Sequence, residues 1–279
     1  MGSIRKVLTF ALFFGLLFQL ADTENIAKAA FYFHQTIQGR VENLGVDNKL
    51  KSSKSSNDII AEAAPAVILI SAYRNVERSV YHIRGGQFYT ISITGEIPVR
   101  QKISSGSGFF ISSDGYIITN KHVVDDPLAE YRVNTGEREL PALVIYKDKN
   151  HDLAILKISE KHRGDFPTIK LAHSSKTNVG VDVLGIGNAL GKYLDSVSNG
   201  KILNLNREIY ITNEFDLERM EGLIQTSAKL YPGDSGGPLL NKAGEAIGIN
   251  VATTIGDSVS YAIPVEAINE FVEEMGLGI

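Results

Sequence analysis

Tyr231-Pro232-Gly233-Asp234-Ser235-Gly236-Gly237-Pro238-Leu239 sets three glycines and two prolines around a single serine. Glycine accepts backbone angles closed to other residues, and proline fixes its own. The stretch therefore reads as a tight turn whose N–H groups are free of any strand ladder. Such a turn suits a nucleophile: it can expose the Ser235 hydroxyl while the N–H groups of Ser235 and a nearby glycine point toward one spot. Leu239-Leu240 and then Ala246 to Val251 read as strands following the turn. The bland reading is a glycine-rich β-turn with an incidental serine. The choice depends on whether the chain also supplies a base and a carboxylate to serve Ser235.

Bulk properties narrow the field. The chain has 279 residues, enough for one large domain or two small ones with a real core. With 28 Lys and Arg against 32 Asp and Glu, the formal charge is −4, so no basic field argues for nucleic acid. There is no cysteine, which excludes disulfides, thiolate metal sites and cysteine nucleophiles. No cofactor and no metal is expected.

The chain opens with export-signal character. Arg5 and Lys6 precede an apolar run from Val7 to Leu20, which suits a signal peptide and is short for a membrane span of about 20 residues. Residues 1–21 are read either as a cleaved signal or as a retained anchor, with membrane association through residues 7–20. Residues 22–57 follow as a helical segment and a polar linker. Ile26, Ala30, Phe33, Ile37, Val41 and Leu44 recur at helical spacing, and the lysine- and serine-rich stretch 45–57 looks solvated. Asp58 is expected to cap a short helix that ends at Pro65, opening a domain over 58–279. Twelve short apolar runs, from Ala66–Ala72 to Ser260–Ile263, are separated by turn residues and predict an all-β barrel or sandwich. Val76 to Lys102 is the least regular part and reads as a surface loop carrying a hairpin. Val265, Ile268, Phe271 and Met275 share one face of a C-terminal helix that docks on the body.

A serine hydroxyl is a weak nucleophile without a base. Of six histidines, His122 stands where the strand Tyr116–Thr119 ends against an apolar turn. Asp152 opens the apolar strand Leu153 to Ile158, where an acid is either an edge cap or a buried, paired group. Asp125, Asp126 and Asp148 read as solvated charges. His122, Asp152 and Ser235 thus occur in the order His, Asp, Ser, as in chymotrypsin-type enzymes.

The run Gly106-Ser107-Gly108-Phe109-Phe110-Ile111 through Thr119-Asn120-Lys121-His122-Val123-Val124 closely resembles the histidine region of the HtrA/Deg family of trypsin-like serine proteases. His151-Asp152-Leu153-Ala154-Ile155-Leu156-Lys157 is similar to that family's aspartate motif. Gln225 to Leu239, Gly248-Ile249-Asn250 and Ala262-Ile263-Pro264 resemble its serine region and last strands. The resemblance covers about residues 58–270. It implies two packed six-stranded antiparallel β-barrels, with protein or peptide substrates cleaved in the cleft between them. It also implies a homo-oligomer, often a trimer, while the export-signal run at residues 1–21 points to an extracytoplasmic location in the periplasm, cell envelope or medium. Carried over residue by residue, Ser235 is the nucleophile, His122 the general base and then acid, and Asp152 the orienting group. The N–H groups of Gly233 and Ser235 form the oxyanion hole. Two rivals stand beside this reading: a silent trypsin-fold binding module, and an envelope-anchored interaction protein.

Three departures from the family pattern matter. The family often carries peptide-binding PDZ domains after the protease, and the residues after Pro264 are too few for one. Asp234 replaces the usual Asn before the nucleophile and is expected to pair locally. Lys229, six residues before Ser235, stands where related folds place the floor of the primary pocket. The resemblance implies a small apolar pocket that prefers small aliphatic side chains before the cut, with Leu230 as a similar apolar wall. Lys229 is read as a solvated surface cation, the alternative being a charge at the pocket floor that awaits an acidic side chain.

Overall fold

Residues 54–76, 79–84, 87–92, 99–159, 165–173, 178–188, 196–212, 217–251 and 259–276 are described by the computed structural model. The export-signal run, the 24–44 helix and the linker up to residue 53 lie outside the described residues. From Ser53 on, the chain forms one compact unit. It opens with helix α1, Ser56–Ala63, capped by Ser55 three residues before the Asp58 cap that the sequence suggests. Ser55 is the N-cap and Asp58 is the third helical residue. Each side chain caps the other's backbone N–H at 3.2 Å, closing a capping box.

Fourteen strands follow among the described residues. The first barrel is built from β1 (Val67–Val76), β4 (Val99–Phe110), β5 (Tyr116–Thr119), β6 (Glu130–Asn134), β7 (Glu139–Lys147) and β8 (Ala154–Ile158). They close in the order β1-β4-β5-β8-β7-β6, every pairing antiparallel. Between β1 and β4, the strands β2 (Ser79–Arg84) and β3 (Gln87–Ser92) pair as a separate hairpin, as the sequence predicts. The second barrel takes β9 (Asp182–Gly187), β10 (Ser196–Thr212), β11 (Leu217–Thr226), β12 (Pro238–Leu240), β13 (Ala246–Val251) and β14 (Ser260–Pro264), closed as β10-β11-β14-β13-β12-β9. Helix α2, Val265–Glu274, follows β14 directly.

Three buried clusters hold this arrangement. Ile68, Ile70, Phe110, Ile117 and Leu156 fill the first barrel, and Val183, Ile202, Ile224 and Leu239 fill the second. The third cluster joins Val67, Phe109, Ile118 and Leu153 of the first barrel to Ile186, Leu240, Ile249 and Ile263 of the second. Helix α2 adds Ile268 and Phe271 to this shared core. Alternation along each strand explains the division: adjacent residues point to opposite faces, so Ile117 fills its barrel while Ile118 faces the seam.

Candidate active site

His122 sits on a one-turn 3-10 helix, Lys121–Val124, immediately after β5. Val123 and Val124 drive their side chains into the first barrel's core, and the imidazole is left about half exposed above it. Asp152 precedes β8, with its side chain 6% exposed. Its Oδ1 accepts the His122 backbone N–H at 2.9 Å, and its Oδ2 lies 2.7 Å from His122 Nδ1. A carboxylate can only accept, so Nδ1 carries the shared proton and Nε2 is the accepting nitrogen of the ring.

Supporting contacts hold the two loops together. Asn120 Nδ2 donates to the Asp152 carbonyl at 3.0 Å, and Lys121 Nζ reaches the carbonyls of Asp148 and His151. Asp148 corrects the sequence reading of a solvated charge. Its side chain is 10% exposed, and its Oδ1 accepts the N–H groups of Asn150 and His151, shaping the turn that delivers Asp152.

Ser235 is buried at 5% exposure in the loop between β11 and β12. Residues Tyr231 to Asp234 form a turn closed by Asp234 N–H donating to the Tyr231 carbonyl at 2.9 Å. Pro232 is its second residue and Gly233, at φ +98°, its third, which is the arrangement a type II turn demands. Gly236 follows at φ +88° and runs hard against the first barrel. A β-carbon there would stand 2.0 Å from the Ser107 carbonyl oxygen and 2.3 Å from Thr119 Oγ1. Gly106 marks the meeting of the two loops. A β-carbon added to it would lie 2.6 Å from Val123 Cγ2 and 3.3 Å from the Ser235 carbonyl oxygen. The histidine turn and the serine loop are thus packed on the same glycine. Among the described residues, neither the Gly233 nor the Ser235 N–H donates a hydrogen bond.

Asp234 pairs locally. Its Oδ2 accepts the Tyr231 N–H and the Ser196 hydroxyl, each at 2.7 Å. Its Oδ1 is buried without a hydrogen-bond partner against the backbone of Gly187. Burial raises its carboxyl above the usual carboxylate range, against the lowering pull of those two donors. Lys229 is exposed, its backbone N–H donating to Ser198 Oγ at 2.6 Å. Leu230 is 7% exposed, its N–H donates to Ser260 Oγ, and its side chain packs toward Gly185.

Ser107, Thr119 and Asn188, which sequence reasoning did not single out, are fully or almost fully buried at this site. The legible signal was a hydroxyl between two glycines at the head of the apolar run Phe109-Phe110-Ile111. A small polar residue in such a place has a partner to meet.

Comparison with known proteins places this geometry among relatives. Residues 106–249 match the family model described as a trypsin-like peptidase domain. The chain is similar to proteins named probable periplasmic serine endoprotease DegP-like. The one from Chlamydia pneumoniae is 30% identical over 261 residues, which is 85% of this chain and 51% of that protein. The one from Ectopseudomonas mendocina is 36% identical over 244 residues, 78% of this chain and 48% of that protein. The one from Pseudomonas savastanoi pv. phaseolicola is 40% identical over 185 residues, 63% of this chain and 36% of that protein. The chain spans about half the length, or less, of these curated relatives.

Proposed function

Because the chain belongs to the trypsin-like peptidase family, we propose that it is a serine endopeptidase working through an acyl-enzyme at Ser235. The observation that carries this reading is the 2.7 Å contact between His122 Nδ1 and Asp152 Oδ2, in an imidazole half open to solvent beside the serine loop. In the first step Ser235 Oγ attacks the carbonyl carbon of the scissile peptide, and Nε2 of His122 takes the hydroxyl proton. The oxyanion that forms is met by the N–H groups of Gly233 and Ser235, which have no other partner among the described residues. The imidazolium then gives its proton to the leaving amine as the C–N bond breaks. A water, deprotonated by the same Nε2, hydrolyses the ester to the acid and restores Ser235. Asp152 stays ionised throughout and holds the ring.

The test is labelling with a fluorophosphonate probe alongside cleavage of a peptide library. The wild type is expected to take the label on Ser235, and Ser235→Ala to lose both label and cleavage. Cleavage by Ser235→Ala at the wild-type rate would end the assignment.

For specificity, buried Leu230 supports an apolar pocket wall, and the exposure of Lys229 supports a cation outside that wall. The reading is a preference for small aliphatic side chains before the cut, unchanged in Lys229→Ala. A Glu or Asp preference that vanishes in Lys229→Ala would reverse it. The relatives' names, which say periplasmic, and the residues 7–20 run support an extracytoplasmic location, and the proposed role there is protein quality control or processing. A reporter fused after Asn57 should resist protease added to the cytoplasmic face, and its digestion would refute the location.

A further inference from the structure

Ser107, on β4 of the first barrel, touches the serine loop at both Gly233 and Ser235, the residues proposed above to form the oxyanion site. Its hydroxyl donates to the Gly233 carbonyl at 2.6 Å, and its backbone N–H donates to the Ser235 carbonyl at 2.8 Å. The direction of the first bond is fixed by a third partner. Asn188 N–H can only donate and sits 2.8 Å from Ser107 Oγ, so the hydroxyl accepts there and spends its single proton on Gly233. Ser107 itself is held by Thr119 Oγ1, which donates to its carbonyl at 2.6 Å, and has no exposed surface. These bonds link β4, β5, the end of β9 and the serine loop through one residue.

The two tethers are unequal. Ser235 is anchored by backbone and would keep its bond after any substitution of Ser107 other than proline. Gly233 is anchored by the side chain alone, and as a glycine it has several backbone conformations open to it. Removing the hydroxyl leaves a half-buried carbonyl without its partner, and the residue is then free to turn toward another donor. We propose that Ser107 is a positioning residue: its hydroxyl fixes Gly233 so that the Gly233 N–H meets the oxyanion. This rests on the reading that Gly233 and Ser235 form the oxyanion site. A displacement of about 1 Å in such a group costs on the order of 100-fold, and loss of a whole oxyanion donor about 100- to 1,000-fold.

The experiment compares the full chain as wild type, Ser107→Ala and Ser107→Thr. Steady-state cleavage of one peptide amide is measured beside inhibition by the boronic acid of the same peptide, which forms a tetrahedral adduct on the serine. Ser107→Ala is expected to lower kcat about 10- to 100-fold, with KM changed less than about twofold. The boronate should weaken by the same factor as kcat/KM, and Ser107→Thr, which keeps the hydroxyl, should recover most of both. A general loosening of the fold would not give a transition-state mimic and a substrate such different responses. Unchanged kcat in Ser107→Ala, a fall in kcat with boronate affinity intact, or a rise in KM alone would each overturn the proposal. If Ser107→Ala does not fold, Ser107→Cys, whose thiol donates weakly, is measured with the same expectations at smaller amplitude. A wild type that neither cleaves nor binds the boronate would instead defeat the assignment of the site as a whole.

Discussion

At the scale of single residues, Asp234 is the group whose chemistry is least settled by packing. It stands beside the nucleophile with one oxygen satisfied twice and the other buried and unpaired. Its raised carboxyl means that the folded state holds a proton that the unfolded chain releases at lower pH. Stability attributable to this group therefore falls as pH climbs from the ordinary carboxylate value to the raised one, and stays reduced above it. Asparagine keeps an oxygen for the Tyr231 N–H and the Ser196 hydroxyl and cannot ionise. Asp234→Asn is expected to gain stability relative to wild type as pH rises through that window, measured by urea unfolding at a series of pH values. Parallel stability profiles for the two proteins would show that the charge is not strained. The contact between His122 and Asp152 and the turn that carries Ser235 were legible in the sequence because each residue lies inside a local signal: a strand end, a strand start and a glycine turn. Ser107 was not, because its partner lies far along the chain, its Oγ bonding to Gly233 126 residues away, and Asp148 was not, because the polar run around it reads as solvated although its oxygen turns inward to the Asn150 and His151 N–H groups.

At the scale of elements, strands that fill a core announced themselves and strands that only complete a barrel did not. β5 and β13 match their apolar runs residue for residue, and β13 is buried along its whole length. β6, Glu-Tyr-Arg-Val-Asn, buries only Tyr131 and Val133, too few apolar positions to read as a strand alone. It is a strand because β1 and β7 supply its ladders. Two of the twelve apolar runs read from the sequence, Ile202–Asn206 and Ile209–Ile211, fall in one strand, β10. Asn206 between them adopts φ +66°, and the pairing with β11 shifts register on both sides of it. A bulge of this kind interrupts the hydrophobic alternation without ending the strand. Likewise the outer half of β4, Val99 to Ser105, is exposed, and its strand state comes from pairing with the far end of β1. The glycine-rich stretch was readable for the converse reason: a type II turn requires Gly at its third position, so the local sequence and the tertiary role agree.

At the scale of the whole molecule, the question is whether two closed barrels behave as one unit. Each has its own interior cluster, which alone would permit separate melting. The seam argues otherwise, because its cluster draws side chains from both barrels and from α1 and α2. Helix α2 is the clasp. Phe271 is 1% exposed in the shared core, and its ring lies 5.5 Å from that of Tyr146 on β7 of the first barrel. The site depends on the same seam, since Ser107 of the first barrel holds the serine loop of the second. The wild type is therefore expected to unfold in one transition, with circular dichroism, tyrosine fluorescence and calorimetry coinciding. Phe271→Ala should cost about 3–5 kcal/mol, the usual loss for emptying an aromatic site in a core. For a unit of this size that is a fall of roughly 10 °C in Tm. The transition should remain single, because the variant weakens the element common to both barrels rather than the interior of either. Two resolved transitions in the wild type, or a Phe271→Ala change confined to one probe, would mean that the barrels fold independently and that the seam contributes little to the stability of either.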